Sequence, residues 1–378
     1  MFDYMTLRLI WWAILGLLLV GFAVFDGFDL GVAMLHPFVA KKDVERRVLI
    51  NAIGPVWEGN QVWFILGGGA VFAAWPPLYA ASFSGFYLAM LLVLLGLILR
   101  PVSITFRSKR EEPRWRATWD WLFFVSGALP SLLFGVAFGN LFLGVPYHYD
   151  QWLRLIYEGG LLGLLRPFAL LCGLVSVTML VMQGASWLAG KSEGEISERA
   201  RRAGAVAALL LVIEFIAAGL WIATGIEGYR IETEIAYNGP STPFGKEVMI
   251  GAGEWLLNYA RQPFAALAPL AGLLGAIGAS ILLATGSRLA ILASSVSIAG
   301  VVATAGFSLF PFLMPSSSHP GQSLTVWDAS SSQSTLGLML VAVIFFLPII
   351  LAYTSWVYWV LRGPVTEAAI ERGDDHYY

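Results

Sequence analysis

The chain has 378 residues, 58% of them hydrophobic and 13% charged, with a formal net charge of −2 and a mean hydropathy of +0.72. A soluble domain of this size carries about a quarter charged residues, so an ordinary water-soluble body is excluded, and the near-zero net charge leaves no electrostatic footprint for nucleic acid. The single cysteine, Cys172, excludes an internal disulfide, a cysteine-ligated iron–sulfur cluster and a cysteine zinc site.

In chain order, apolar stretches lie at about 9–37, 49–74, 77–100, 119–143, 161–189, 203–226, 263–285, 289–313 and 333–361. Each approaches or exceeds the roughly 20 residues a helix needs to cross a hydrocarbon core. They do not alternate apolar with polar, which excludes a β-barrel. The first lacks a basic leader and a small-residue cleavage site, so it reads as a transmembrane helix and not as a signal peptide. Between spans six and seven lies a longer polar stretch, Glu227 to Gln262, rich in Glu, Pro and Gly. No segment resembles a soluble domain. The expectation is an all-α polytopic membrane protein of about nine helices, with residues 1–378 forming a single integral membrane domain.

Lys and Arg cluster after spans one, three and five: Lys41, Lys42, Arg46 and Arg47; Arg107, Lys109, Arg110, Arg114 and Arg116; Lys191, Arg199, Arg201 and Arg202. The loops after spans two, four and eight hold only Arg154. Basic loops stay in the cytoplasm, which predicts a periplasmic N-terminus, a cytoplasmic C-terminus and an odd number of spans. Trp11 and Trp12 at one end of span one, with Trp115, Trp119 and Trp121 at the start of span four, read as interfacial anchors.

Ionisable side chains inside spans are costly and point to function. Asp26 and Asp29, in Phe25-Asp26-Gly27-Phe28-Asp29-Leu30-Gly31, share one helix face. Glu58, in Trp57-Glu58-Gly59-Asn60-Gln61-Val62-Trp63, lies about as deep in span two, so the three carboxylates are expected to meet near mid-membrane. They could pass protons or cations; alternatively each could pair an arginine or cap backbone at a glycine-induced break. Glu214 is a fourth carboxylate within a span. Arg100, before Pro101, either snorkels to headgroups or pairs with one of these acids. His36, His148, His319 and His376 all fall outside mid-span positions, so no haem or metal ligated by this chain is expected.

Several strings closely resemble subunit 2 of the cytochrome bd quinol oxidases. They are Gly21-Phe22-Ala23-Val24-Phe25-Asp26-Gly27-Phe28-Asp29, Trp57 to Trp63, Phe72-Ala73-Ala74-Trp75-Pro76, Ala81 to Tyr87, Arg100-Pro101, Gly135 to Asn140, Phe310 to Ser317 and Ser323 to Gln333. The resemblance runs the length of the chain. It implies a bacterial inner-membrane terminal oxidase that reduces oxygen to water with quinol and builds a proton gradient. It implies a partner, haem-bearing subunit 1, with haems b558, b595 and d, and places no haem ligand in the present chain. Asp26, Asp29 and Glu58 match positions implicated in cytoplasmic proton supply, with Glu58 standing where many relatives have Asp. Trp57, Asn60, Gln61 and Trp63 match a region that lines proton and oxygen routes; Arg100 takes a structural or electrostatic role. The resemblance is compatible with a structural quinone, bound lipids and small single-helix subunits, but assigns no residues to them. Glu214 matches no family feature. Without the resemblance, a secondary transporter built on the same carboxylates stands as the rival, although the inverted repeat expected of one is not visible.

Overall fold

The computed structural model describes residues 2–372; His376 lies outside them. Helix α1 (Tyr4–Val39) opens at an Asp3 cap that accepts from the Thr6 amide at 3.3 Å. Then follow α2 (Asp43–Ile53), α3 (Trp57–Ala74), α4 (Pro76–Gly85), α5 (Tyr87–Arg107) and α6 (Pro113–Leu143). A hairpin of β1 (Tyr147–Tyr149) and β2 (Leu155–Tyr157) precedes α7 (Pro167–Lys191) and α8 (Gly194–Thr224). A second hairpin, β3 (Glu227–Ile231) with β4 (Val248–Ala252), pairs Glu227 with Ala252 and Ile231 with Val248. It leads into α9 (Leu257–Arg261), α10 (Leu267–Ala284) and α11 (Ala290–Leu309). The last elements are β5 (Phe312–Met314), paired antiparallel with β6 (Leu324–Thr325), then α12 (Gln333–Val360) and α13 (Glu367–Arg372).

Proline starts α4, α6 and α7, where its fixed φ suits the first turn and its missing N–H costs nothing. Elsewhere proline breaks what the hydropathy pattern joins. The span expected at 49–74 divides into α2 and α3 around Gly54-Pro55-Val56, because Pro55 has no N–H to continue the ladder. The span expected at 77–100 is also interrupted, at Phe86, between α4 and α5. Helices α3 and α4 meet at Trp75-Pro76 with a bend of 120°. Eight helices among the described residues are long and apolar enough to cross a membrane, and counting the bent pair as one span gives nine.

Helix α1 is the hub, packing on α3, α6, α7 and α11. Its approach to α7 depends on Gly31 and Gly184, since a β-carbon on either would fall on the other's backbone; small residues let membrane helices close to this distance. The expected polar stretch 227–262 is the β3–β4 hairpin with α9, gathered with the other two hairpins at one end of the bundle. Bonds from Val145 to Pro315 and from Tyr149 to Gln322 tie those hairpins together. The opposite end holds α2 and the basic segments, and is called the basic end below.

Trp11 is not an interfacial anchor. It is 2% exposed and donates to the Leu336 carbonyl at 3.0 Å, because it lies on the face of α1 that α12 covers. Trp12 is half-buried against Phe307 and Phe310. Trp121, by contrast, is 56% exposed, as an anchor should be.

Candidate functional site: a buried charged seam

Asp26 and Asp29 are both fully buried. The Arg100 guanidinium, also fully buried and carried by α5, lies 2.8 Å from Asp26 Oδ1. Its carbon sits 5.7 Å from the Trp57 ring at the start of α3. Asp29 Oδ2 accepts from the Asn60 amide at 2.8 Å, and the Tyr358 hydroxyl of α12 donates to Asn60 Oδ1 at 2.5 Å. Four helices thus build one polar seam: α1 supplies the acids, α5 the cation, and α3 and α12 the neutral bridge. Arg100 therefore takes the paired position, not the snorkelling one. A buried charge left unpaired is strongly destabilising, which is reason enough for the pairing.

The seam does not include Glu58. That residue is exposed on the first turn of α3 and makes no side-chain bond among the described residues. Asn60, two positions on, points to the opposite side, because successive i, i+2 positions diverge by about 200° on a helix. Glu58 instead heads an outward stripe with Val62, Ile65, Gly69 and Phe72. The expected meeting of three carboxylates is thus a meeting of two, since equal depth does not fix rotation about the helix axis. Trp63 is 5% exposed and stacks on Phe25 at 5.5 Å, packed against the glycine face of α1 at Gly21. Gln61 is half-buried without a side-chain bond among the described residues. Glu214 stands alone on α8, accepting from Thr178 at 2.7 Å.

A second charged group closes the basic end. Asp120 receives Arg107 Nε and Arg46 Nη1, each at 2.5 Å, and His36 Nε2 lies 3.6 Å from its Oδ1. Arg107 also reaches Asp43 at 2.8 Å, and Arg116 meets Asp43 at 2.9 Å. Burial pushes the Asp43 carboxyl up, but Arg107, Arg116 and Arg47 outweigh it and hold it below the usual carboxylate range. Glu45 behaves alike: burial opposes, while Arg199 at 2.7 Å and the Lys41 and Lys42 amides win. Sequence reasoning missed Asp120 and Tyr358. Asp120 follows a tryptophan cluster that reads as a membrane border, and Tyr358 sits in an aromatic run that reads the same way.

About one turn along α1 from the seam, a cavity of about 680 Å³ opens between α1, α6, α7, α8 and α11. Leu19, Phe22, Phe134, Met179, Phe215 and Val301 are among its lining residues. Among the described residues no three His, Cys, Asp or Glu side chains converge as a metal-ligand set. Among the described histidines, His36 is wedged among Asp120, two arginines and the edge of Phe123, and the His148 and His319 rings lie 4.7 Å apart.

A helical bundle with, among the described residues, eight or nine helices long and apolar enough to cross a membrane, and with two carboxylates and an arginine buried at its hub, defines a multi-pass membrane protein. The profile of the cytochrome bd terminal oxidase subunit II family matches residues 7–361, and the chain belongs to that family. It is 48% identical over the full length of both chains to cytochrome bd-I ubiquinol oxidase subunit 2 of Escherichia coli K12. It is 46% identical, again over both full lengths, to a probable cytochrome oxidase subunit 2 of Haemophilus influenzae. With the cytochrome bd ubiquinol oxidase subunit 2 of Bacillus subtilis it shares 31% identity, covering 96% of this chain and 97% of the relative. The fold matches a chain of the Geobacillus thermodenitrificans bd oxidase with a TM-score of 0.67 at 17% identity, covering 94% of this chain and 98% of that one. The chain is therefore a terminal oxidase subunit of the bacterial inner membrane, and the transporter alternative loses its ground.

Proposed function

We propose that this chain is the haem-free partner in a ubiquinol oxidase, seated beside a haem-bearing subunit 1 and supplying it with protons from the cytoplasm. The basic end carries the Lys and Arg clusters and so faces the cytoplasm, with the N-terminus periplasmic and the C-terminus cytoplasmic. Haems b558, b595 and d, held by the partner, supply the reduction of oxygen; this chain's residues bring the protons that reduction consumes. Quinol oxidation at the opposite face releases protons outside, so charge is separated without a pump.

The observation that carries this reading is the charge balance of the seam. Asp26 and Asp29 share one guanidinium, so the set is neutral only with one proton aboard, and low dielectric strongly favours neutrality. Such a set takes up and releases a proton while Arg100 holds its shape. Glu58 is the next carrier. A carboxylate on an outward face at membrane depth is costly unless protein meets it, and the stripe it heads contains Gly69, the kind of small residue that helix contacts in membranes use. That stripe, with the exposed Leu88, Leu91 and Leu95 of α5, is the face we assign to the haem subunit. Trp57 and Trp63 wall the route, and Asn60 fixes Asp29. Helix α12, scarcely buried by the rest of the chain, leaves a flank for a small single-helix subunit, and the apolar cavity suits the isoprenoid tail of a structural quinone or a lipid chain.

The test uses the purified two-subunit oxidase. Glu58→Gln and Asp29→Asn should keep the haem bands of the reduced-minus-oxidised spectrum while quinol-driven oxygen uptake falls about a hundredfold, the lower range for loss of a positioned proton carrier. Normal turnover in both variants would sink the proposal.

A further inference from the structure

Two polar columns run side by side from the seam to the basic end. On α1 they are Asp26, Asp29 and His36, spaced at i, i+3 and i+10, and on α5 they are Arg100, Ser103 and Arg107, spaced at i, i+3 and i+7. All six are at most 1% exposed. The Asp26–Arg100 pair fixes the columns at one end, and Asp120, touching both His36 and Arg107, fixes them at the other. The two helices therefore run in the same direction, with Ser103 level with Asp29. His36 lies on the same face of α1 as Asp29, about 10.5 Å further along at the standard helical rise.

Several polar atoms in this stretch lack a protein hydrogen bond, although His36 Nε2 lies 3.6 Å from Asp120. Both ring nitrogens of His36, the Ser103 hydroxyl, Asp29 Oδ1 and Arg107 Nη1 are buried without a hydrogen bond among the described residues. Native proteins rarely leave so many such groups together, and where they do, ordered water is the common answer. The stretch has a titratable group at each end, a hydroxyl between, and unmet hydrogen-bonding capacity throughout. The groups facing His36 are Asp120 of α6, Arg107 of α5 and Arg46 of α2; Phe123 covers its ring edge-on.

We propose that His36 is the cytoplasmic relay of the proton route, passing protons through Ser103 and intervening water to Asp29. One ring nitrogen takes a proton arriving past Asp120, forming an imidazolium. The other nitrogen gives up its proton toward Ser103 and Asp29, and the neutral ring returns by tautomer exchange. Asp120 attracts the transient imidazolium and the two arginines repel it, so the proton does not rest there. Arg46, partly exposed at the mouth, holds Asp120 in place. This inference rests on the proton-supply reading above, and assigns the entry that Asp29 and Glu58 leave open.

The experiment compares His36→Gln, Ser103→Ala and Asp29→Asn in the purified oxidase, each checked by its haem spectrum. His36→Gln keeps a hydrogen-bonding side chain of similar size but does not titrate. Turnover should fall about a hundredfold, with the KM for ubiquinol unchanged, and its pH profile should lose one titrating limb, a change that a packing role would not produce. Ser103→Ala should slow turnover a few-fold at every pH. An assembled His36→Gln oxidase with wild-type turnover and pH profile overturns the relay. Should that variant fail to assemble, wild-type turnover in Ser103→Ala overturns it instead. Slow Asp29→Asn beside normal His36→Gln and Ser103→Ala would fault this entry alone; normal turnover in all three would remove the proton-supply reading beneath it.

Discussion

Helix α1 joins two unlike halves of the molecule, one after the other along its length. Toward α3 and α5 it presents Asp26 and Asp29, which are met by Arg100 and Asn60. One to two turns earlier on much the same face it presents Leu19, Phe22 and Ala23, which line the 680 Å³ cavity with residues of α3, α6, α7, α8 and α11. One helix thus serves a charged, tightly specified seam and a roomy apolar chamber, separated by about one turn along its axis. On the seam side each polar group depends on a particular partner, and deleting one strands another. On the cavity side the contacts are dispersion and burial, which tolerate change in proportion to area. The first should be brittle and the second forgiving.

The largest expected effect is at Arg100. Arg100→Met keeps length and apolar bulk but leaves both carboxylates without their cation. Removing one partner of a buried pair costs about 3–5 kcal/mol, which for a membrane subunit should appear as lost assembly. The measurement is the haem content of membranes co-expressing both subunits. Full haem content would show that the pair does not organise the bundle, and would weaken the contrast between the halves.

Ser176→Leu tests the other side. Ser176 lines the cavity, and its replacement adds apolar contact worth about 1–2 kcal/mol if the chamber has room. The thermal midpoint of the oxidase should hold or rise. A clear drop would mean that the chamber is filled in the working complex, by a quinone tail or a lipid chain that the larger side chain displaces.

Much of this division was legible from sequence, but unevenly. The apolar runs showed the helices, and the acids in span one stood out because charge at that depth is rare. Asp29 and Asp26 needed only local spacing to be placed on one face. The rest depended on rotation and breakage. Glu58 is as deep as expected yet points outward, a matter of about half a turn on α3 that hydropathy cannot specify for an all-apolar helix. The Gly54-Pro55 break, which resets that rotation, lies within an otherwise apolar run. Arg100 had two readings with identical local sequence; only the approach of α5 to α1 decides between them. Trp11 misled because the same apolar, hydrogen-bonding ring suits a membrane border and a helix–helix contact equally.

The basic end offers a milder version of the seam, with its charges nearer to water. Glu45 has a folded-state pKa held below its ordinary value by Arg199 and two backbone amides, burial notwithstanding. Its contribution to stability is therefore present above the ordinary glutamate range and is lost as pH falls through the lowered value. Thermal unfolding followed from pH 6 downward should show the midpoint dropping at the acid end, and Glu45→Gln should flatten that part of the curve while lowering the plateau. An unchanged curve would mean that the Arg199 contact contributes little once solvent screens it.

The smallest effect is expected where the two halves should differ most in kind. Glu214 is ionisable and lies within a span, yet it is on α8 beside the cavity-lining Phe215, with Thr178 as its hydrogen-bond partner. Thr178 has a second outlet, since its hydroxyl also bonds the Leu174 carbonyl at 3.0 Å. Glu214→Leu removes a hydrogen bond worth about 1 kcal/mol and replaces a half-buried carboxyl with an apolar side chain whose burial returns about as much. The two nearly cancel, and Thr178 is not stranded. Stability, haem content and turnover should all stay close to wild type. A marked loss of turnover with the haem spectrum intact would place a second titrating group near the apolar chamber, and the contrast drawn along α1 would then be one of packing and not of proton handling.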